Sequence, residues 1–274
     1  MSFTPFARAR GCDPGVDKLP CMATAQEHYS NLLAKHYTWM FGTTFEEKAA
    51  EQRAILTELL GPRAEAGSTL AVDLGCGPGF QSIALAQMGY SPVLAIDTSR
   101  SLLDELESHR HALGGNLPIQ TLCDDVMDIG GLVSPSTARV IVSMGDTITH
   151  LASRAAIAAL IQSVATALVP GGRFIVTFRD LSAELAGLDR FIPVYGDDDR
   201  VMTCFLEFDR PDSVLVHDLV YCRDGAKWNL AKSSYRKLRV AEEWLASAMT
   251  SAGLAVESGR AGRLIRITGT KPGS

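Results

Sequence analysis

The chain has 274 residues, of which 46% are hydrophobic, and its formal net charge at pH 7 is −5. This length is enough for one large or two small domains, and the acidic balance argues against a basic face for nucleic acid. No apolar run approaches the ~20 residues of a membrane span, and residues 1–19 lack the apolar core of a signal peptide. The six cysteines include no CxxC pair, so we expect neither a metal site nor a disulfide framework, and a reducing cytoplasm fits best.

Prolines and glycines are frequent over residues 1–24, which predicts a flexible arm. From residue 25 onward, apolar side chains recur at three- and four-residue steps, which predicts a helix. A break at Gly42 separates it from a second helix over about residues 45–60, which Gly61 and Pro62 end. We therefore predict a helical unit over residues 25–62.

Strand and helix patterns then alternate. Alternation of this kind predicts a parallel sheet with helices on both faces. The predicted strands are 69–74, 92–97, 118–123, 139–144 and 172–178. The predicted helices are 80–88, 99–113 and 153–168.

The pattern of alternating strands and helices ends after residue 178. Three segments alternate polar and apolar residues, which predicts an antiparallel meander; they are 200–208, 213–221 and 227–238. A helix over 241–252 and a strand over 263–270 complete the predicted elements.

A glycine-rich turn follows the first strand of the alternating region. Residues 72–80 read Val-Asp-Leu-Gly-Cys-Gly-Pro-Gly-Phe, so glycines occupy positions 75, 77 and 79. Counted from Gly75, the sixth residue is Phe80, and a dinucleotide fingerprint requires glycine there. The stretch instead resembles motif I of the class I S-adenosylmethionine (SAM) dependent methyltransferases. A tight structural turn is the alternative interpretation.

Two further strand ends support a SAM site. Asp97 ends the second strand, where an acid can accept hydrogen bonds from both ribose hydroxyls. The alternative is a helix N-cap or a solvated loop acid, and Thr98 or Ser99 could cap the helix equally well. Two acids follow the third strand. By resemblance, Asp125 takes the adenine amino group and the Val126 amide meets a ring nitrogen, with Asp124 as the fallback and a surface acid pair as the alternative.

A narrower resemblance follows from several segments. Residues 145–151 read Gly-Asp-Thr-Ile-Thr-His-Leu, residues 170–172 read Pro-Gly-Gly, and residues 176–180 read Val-Thr-Phe-Arg-Asp. These segments resemble the glycine and sarcosine N-methyltransferase group. Residues 37–42 and 48–54 resemble that group's N-terminal lid, and the antiparallel insert resembles its cap. The likeness spans roughly residues 25–270.

The resemblance also implies residue roles. Lys48 falls where the group has an arginine that pairs with the methionine carboxylate of SAM. A guanidinium that can make two parallel hydrogen bonds to a carboxylate is thus replaced by a single ammonium group. Arg179 falls on the arginine that holds the substrate carboxylate. Asp146 replaces an asparagine, and a second anion there would repel a carboxylate. Asp146 therefore either pairs with Arg179 or attracts a cationic amine, which weakens the case for glycine as substrate. Met40 replaces a tyrosine of the group's lid.

The predicted site has two parts and no metal. The catalytic candidates are Asp146, Arg179, Tyr29, His150 and Tyr235. The cofactor-binding candidates are Tyr37, Lys48, Asp73, Gly75, Cys76, Gly77, Gly79, Asp97, Thr98, Asp124, Asp125, Val126, Met144 and Gly145. Other interpretations are a structural ion pair for Arg179, a buried helix-start residue for His150, and ordinary aromatic packing for the tyrosines.

The resemblance implies an α/β fold: a Rossmann-like, doubly wound, mostly parallel seven-stranded sheet. An N-terminal helical lid and an antiparallel cap insert would close its active site. The implied boundaries are 63–180 for the SAM-binding core, 181–240 for the cap and 241–274 for the C-terminal completion of the sheet.

The predicted function is transfer of a methyl group from SAM, as co-substrate, to a small polar molecule, most simply at an amine nitrogen. Nucleic acid and membranes are not expected as partners, and a homodimer is allowed. One alternative is attack on another sulfonium carbon, which releases methylthioadenosine. Others are O- or S-methylation of a specialised metabolite and a binding module without turnover. A nucleic-acid methyltransferase would need a basic groove, or an Asn/Asp-Pro-Pro-aromatic motif where this chain has Gly145, Asp146 and Thr147.

Overall fold

The computed structural model describes residues 23–61 and 69–273. Its strands are, in chain order, β1 (Leu70–Leu74), β2 (Val93–Asp97), β3 (Ile119–Cys123), β4 (Ala138–Ser143), β5 (Leu168–Phe178), β6 (Phe191–Gly196), β7 (Arg200–Glu207), β8 (Ser213–Asp224), β9 (Lys227–Leu238), β10 (Ala255–Ala261) and β11 (Leu264–Thr270). Its α-helices are α1 (Ala25–His28), α2 (Phe45–Leu60), α3 (Phe80–Gln87), α4 (Arg100–Ala112), α5 (Ile129–Leu132), α6 (Arg154–Ala167) and α7 (Glu242–Ser251).

The first sheet has seven strands in the order β10-β11-β5-β4-β1-β2-β3. Strands β1 to β5 pair in parallel, whereas β11 runs antiparallel to both β5 and β10. This arrangement confirms the predicted α/β fold with a mostly parallel sheet. The strand β10 was not predicted, because its sequence AVESGRA shows no apolar alternation and its residues are half-buried or exposed.

Apolar side chains cover both faces of this sheet. Val72 and Leu74 of β1 join the cluster that contains the α6 residues Ile157 and Ile161. Ala71 joins the cluster on the opposite face, with residues of α2 and α3. A strand buried on both faces must be apolar throughout, which is why the central strands read as short continuous apolar runs.

The N-terminal unit differs from the prediction of one regular helix before Gly42. After α1, the chain forms a π-turn (Tyr29–Leu33) and two 3-10 turns (Ala34–His36 and Trp39–Phe41). A π-turn inserts an extra residue into the helical repeat, so the apolar spacing persists although the helix type changes. The break at Gly42 is confirmed by its left-handed backbone. The predicted arm lies outside the described residues apart from Ala23 and Thr24.

A second sheet of four strands, β6-β7-β8-β9, is antiparallel. The three predicted strands β7, β8 and β9 are confirmed, and β6 was missed because it is an edge strand interrupted at Pro193. Alternate residues on its inner face, such as Val214, Val216 and Val220, are fully or almost fully buried. Strand β9 contacts α1, the π-turn and the 3-10 turn Thr147–His150 that follows β4. This sheet therefore lies over the carboxyl ends of the parallel strands, where ligands of open α/β sheets bind.

Candidate active site

One cavity of about 730 Å3 lies between the two sheets and the N-terminal unit. At one end it meets the loops after β1, β2 and β3, and at the other end it meets β9 and the loop before β8. Ten of the predicted site residues line it: Tyr29, Tyr37, Gly75, Gly77, Asp97, Thr98, Asp125, Val126, Gly145 and His150.

The glycine turn is built so that bare main chain faces the cavity. Gly75, Gly77 and Gly79 all have positive φ, at 73°, 54° and 94°. A Cβ on Gly75 would lie 2.3 Å from Thr147 Cγ2, and one on Gly79 would lie 2.1 Å from a Leu106 methyl. Only glycine fits these two positions, so the turn explains the glycine spacing physically.

Asp97, at the end of β2, accepts a hydrogen bond from this turn. Its Oδ2 accepts the Gly77 N–H at 2.9 Å, and its Oδ1 accepts the Ser99 N–H at 2.8 Å. Burial raises the pKa of Asp97, while these two hydrogen bonds act to lower it. A carboxylate has about four lone-pair sites, so acceptor capacity remains for a ligand in the cavity.

The loop after β3 lines the cavity through Asp125, Val126 and Met127. The Asp125 carboxylate accepts the Met127 N–H at 2.9 Å and begins a 3-10 turn. Asp124 does not line the cavity, and its Oδ1 accepts the Asp125 N–H at 2.9 Å. Asp125 is thus the acid of this pair that faces the cavity.

Other predicted cofactor residues lie outside the cavity lining. Asp73 is 1% exposed and accepts the Ser82 hydroxyl at 2.6 Å, and burial raises its pKa to about 7. Cys76 and Met144 are buried, and burial raises the pKa of the Cys76 thiol. Lys48 Nζ lies 2.9 Å from both Glu51 carboxylate oxygens.

Three charged side chains meet at the opposite end. Asp146, which is 2% exposed, accepts the Arg179 backbone N–H at 2.6 Å and Arg179 Nη1 at 2.5 Å. Its Oδ2 also lies 3.0 Å from Lys237 Nζ. Burial opposes ionisation of Asp146, but the charges of Lys237 and Arg179 outweigh it and lower the pKa. Of the three, only Lys237 lines the cavity.

Two stacked rings connect this cluster to α1. The His150 and Tyr235 rings stack at 5.4 Å between centroids, and Tyr235 stacks on His28 at 4.1 Å. His28 is fully buried, and its Nε2 lies 2.9 Å from the Asp218 carboxylate. Burial, and next the charge of Lys237, lower the pKa of His150 to about 3, so its imidazole is neutral at physiological pH.

Several polar groups in and beside the cavity lack a hydrogen bond to a described residue, and one of them, on Tyr37, lies at the glycine-turn end beside Gly77. His150 Nδ1 is buried without a hydrogen-bond partner among the described residues. Tyr29 and Tyr37 line the cavity, and no described residue hydrogen-bonds their hydroxyls. Burial raises the pKa of both tyrosines, so both hydroxyls stay protonated and can donate. The Tyr29 and Tyr37 hydroxyls can therefore bind a polar ligand without losing a hydrogen bond to a described residue.

Sequence reasoning missed Lys237, His28 and Asp218. Lys237 and Asp218 occupy inward positions of alternating strands, where the pattern predicts an apolar residue, and a charge at such a position was the available signal. His28 precedes Tyr29 in a helical pattern and carries no comparable signal.

The described residues contain no helix long and apolar enough to cross a membrane. Within the same residues, no group of three or more His, Cys, Asp or Glu side chains could hold a metal ion.

Comparison with known proteins identifies both the domain and the fold. Residues 71–172 match the family described as Methyltransferase domain. No curated protein matches the sequence. Among solved structures, the CcbJ methyltransferase from Streptomyces caelestis is 19% identical with a TM-score of 0.70, over 91% of this chain and 99% of that chain.

Two further solved structures share the fold. A SAM-dependent methyltransferase from Clostridium acetobutylicum ATCC 824 is 19% identical with a TM-score of 0.65, over 90% of this chain and 96% of that chain. The sugar N-methyltransferase KedS8 from Streptoalloteichus sp ATCC 53650 is 15% identical with a TM-score of 0.64, over 97% of this chain and 100% of that chain. At these identities the likeness establishes the fold and leaves the acceptor open.

Proposed function

We propose that this protein, a SAM-dependent methyltransferase of class I, methylates the amine nitrogen of a small polar molecule. The observation that carries the proposal is the continuity of the cavity. It runs from the glycine turn and Asp97 to His150 and Lys237, so a donor at one end and an acceptor at the other would share one continuous cavity.

The residues at the first end fit SAM. Gly75 and Gly77 present bare main chain for the methionine part, Asp97 keeps lone pairs for the ribose hydroxyls, and Asp125 with Val126 would hold the adenine. A cavity of about 730 Å3 has room for this cofactor and a small acceptor. When bound, SAM supplies an activated methyl group, so no nucleophilic side chain or metal is needed.

The second end would select and orient the acceptor. The Tyr29 hydroxyl can donate to polar groups of the acceptor, and the neutral imidazole of His150 can accept a hydrogen bond from an N–H. Tyr37 lies beside Gly77 and would contact SAM. Alignment of a lone pair with the S–CH3 bond can lower the barrier by roughly 7–11 kcal/mol. The related fold of a sugar N-methyltransferase also supports nitrogen as the acceptor atom.

Proton removal follows from the local charge. Asp146 is already shared by Lys237 and Arg179, so one anion faces two cations. Excess positive charge beside a bound amine disfavours its ammonium form. The amine would therefore bind as the free base, with its ammonium proton passing to bulk water, so that its lone pair can attack the methyl carbon as the S–CH3 bond breaks. S-adenosylhomocysteine would leave as the neutral thioether, and the extra proton of the methylated product would also pass to water.

The glycine and sarcosine likeness bears on Arg179. Only Nη1 of its guanidinium bonds a described residue, and the side chain is 60% exposed. Arg179 does not line the cavity, so we propose that its remaining N–H groups orient a polar or anionic group of the acceptor that extends beyond the cavity lining. Asp146 would act through Arg179 and Lys237 and would not bind the amine directly.

The test is product analysis by mass spectrometry after incubation of a substrate panel with SAM. The panel pairs amines with the matching alcohols and thiols, and Asp97→Ala is the negative control. We expect S-adenosylhomocysteine together with an N-methylated amine. Methylthioadenosine would show attack on another sulfonium carbon, and a methylated alcohol or thiol alone would overturn the assignment to nitrogen.

A second experiment tests the acceptor end with Asp146→Asn and Arg179→Lys, assayed on an active substrate. We expect acceptor turnover to fall at least tenfold while SAM affinity stays within twofold of the wild type. Unchanged turnover in both variants would show that this ion pair is only structural and that the tyrosines hold the acceptor.

A further inference from the structure

The four-stranded sheet has an outward surface that is unusually apolar. In the register of this sheet, Val201 lies opposite Tyr221 and Tyr221 lies opposite Leu230. Phe191 lies opposite Phe205, and Trp228 is two residues from Leu230 on the same side. We call Phe191, Val201, Phe205, Leu219, Tyr221, Trp228 and Leu230 the outer cap face.

Many of these side chains are open to solvent. Phe191 is 52% exposed, Trp228 47%, Leu230 44%, Val201 40% and Tyr221 38%. Within the described residues, nine large apolar side chains are exposed, and these five are among them. An antiparallel sheet with one face in water normally places polar residues outward. A contiguous apolar surface of this kind marks an interaction site.

The size of the face suits a protein interface. Strands β7, β8 and β9 have 8, 12 and 12 residues. At ~4.8 Å between strands and ~3.4 Å per residue, four strands cover roughly 15–20 Å by 25–40 Å. The accessible area of such a face is comparable to the ~800 Å2 that each partner of a standard interface buries.

The charges on the face favour a second copy of the same chain. Glu207 and His217 lie 3.0 Å apart, and the Arg190 guanidinium lies 5.0 Å from the Phe205 ring centroid. Arg223, which lies opposite Trp228, and Lys232, which lies opposite Leu219, each add a positive charge to the face. With Arg190 these are three cations without a carboxylate partner among the described residues, so few like charges would oppose a second copy. Three cations are also fewer than the 4–8 that an anionic membrane attracts.

We propose that the outer cap face is the interface of a homodimer, in which the sheets of two copies pack face to face about a two-fold axis. Such an interface is isologous, so each copy offers the same rows of apolar residues. Packed sheets lie about 10 Å apart with interdigitated side chains. The opposite side of the same sheet carries Tyr235 and Lys237, so dimerisation would also stiffen the acceptor end of the cavity. The proposal does not depend on the reaction that the protein catalyses.

Light scattering coupled to size exclusion, together with sedimentation velocity, tests the proposal on the full chain at micromolar concentrations. We expect a dimer for the wild type. Leu230→Lys should raise the dimer dissociation constant at least tenfold. The matched control is Leu113→Lys, because Leu113 is also 44% exposed but lies after α4, and it should leave the dimer intact.

A milder variant, Tyr221→Thr, keeps a strand-forming residue and guards against loss of folding in Leu230→Lys. Its circular dichroism should match the wild type while its dimer dissociates more readily. Emission from Trp228 should shift to the blue as wild-type concentration rises, and the shift should be absent in Trp228→Phe.

Several outcomes would overturn the proposal. A wild type that is monomeric at every concentration would do so, as would a dimer that Leu230→Lys and Tyr221→Thr leave unchanged. Equal dissociation by Leu113→Lys would show that the effect is not specific to this face. Flotation of a monomeric wild type with phosphatidylserine vesicles, lost in Leu230→Lys, would identify a lipid surface as the occupant.

Discussion

The two ends of the cavity are built in different ways. At the glycine turn, the structure depends on main-chain conformation and on a hydrogen bond between residues 20 positions apart, Gly77 and Asp97. At the opposite end, Asp146 and Lys237 are 91 positions apart, and His28 and Asp218 are 190 positions apart. The first end forms within one part of the fold, whereas the second exists only when the lid, the core and the four-stranded sheet are assembled. Changes at the second end should therefore affect stability more, and changes at the first end should affect SAM binding more.

The largest expected effect is a loss in the free energy of unfolding, caused by a substitution at the second end of the cavity. Asp146→Ala leaves Lys237 as a buried cation without its partner, because the Lys237 side chain is only 7% exposed. Breaking a buried ion pair in this way costs about 3–5 kcal/mol. Urea denaturation should show the loss, with Asp146→Asn as a control that tolerates the left-handed backbone of this position. A loss below about 1 kcal/mol in Asp146→Ala, as for an exposed pair, would remove the distinction between the two ends.

The second largest expected effect is on SAM affinity, and it comes from a change at the glycine-turn end of the cavity. Asp97→Ala removes a charged acceptor that the ribose hydroxyls would use, which should weaken SAM binding by about 1.5–3 kcal/mol, or roughly 10- to 150-fold in Kd. Isothermal titration calorimetry measures it. Asp124→Ala is the control, and it should weaken binding less than Asp125→Ala. Equal SAM affinity for wild type and Asp97→Ala would contradict the ribose assignment.

The two ends should also respond oppositely to pH. His150 has a folded pKa of about 3, below the ~6.5 of a free imidazole. Its contribution to stability is therefore present above pH 6.5 and is lost as pH falls toward 3. Asp73 has a folded pKa of about 7, above the ~3.9 of a free carboxyl. Its contribution is present below pH 4 and is lost as pH rises through 7.

Unfolding titrations at pH 4.5 and 6.5 separate the two groups. Relative to wild type, His150→Gln should reduce the gain in unfolding free energy between these pH values, and Asp73→Asn should increase it, each by an amount on the order of 1 kcal/mol. If the change in unfolding free energy between pH 4.5 and 6.5 shifted in the same direction in both variants, the assignment would be contradicted.

The smallest expected effect is at Lys48. Its ion pair with Glu51 is half-open to solvent, and pairs of this kind contribute about 0.2–1 kcal/mol. If the Lys48 ammonium reaches the methionine carboxylate of SAM, solvent screens that contact as well. Lys48→Gln should therefore reduce SAM affinity less than fivefold in the same calorimetric assay. A loss as large as that of Asp97→Ala would show that Lys48 moves into the cavity when SAM binds.

Much of the first end could be predicted because its signals are local. Three glycines at alternate positions after a strand require a turn with positive φ, and an acid at the next strand end lies beside that turn in any parallel sheet. Gly75, Gly77 and Asp97 were predicted on this basis, whereas Asp125 was predicted by resemblance; all four line the cavity. Their roles toward SAM stay predictions.

The second end could not be predicted to the same depth. Whether Lys237 is a solvated strand residue or a buried cation depends on Asp146, which lies in a different part of the chain. The pairing of His28 with Asp218 depends on how α1 docks on β8, and no local pattern encodes that docking. The strands β6 and β10 were missed for local reasons, because Pro193 interrupts β6 and β10 shows no apolar alternation.

The position of the four-stranded sheet in the chain has a consequence for how such enzymes diversify. The chain leaves the core after β5 and returns through α7 to β11, which pairs directly with β5, as in the register of Phe178 with Ile265. The sequence and length of the segment that forms the four-stranded sheet can therefore change without altering which strands of the seven-stranded sheet are neighbours. One contact between the insert and the rest of the chain limits such change. Without the cation of Lys237, the buried Asp146 carboxylate would keep only Arg179 as its ionic partner, so a different insert would have to supply a group that replaces Lys237.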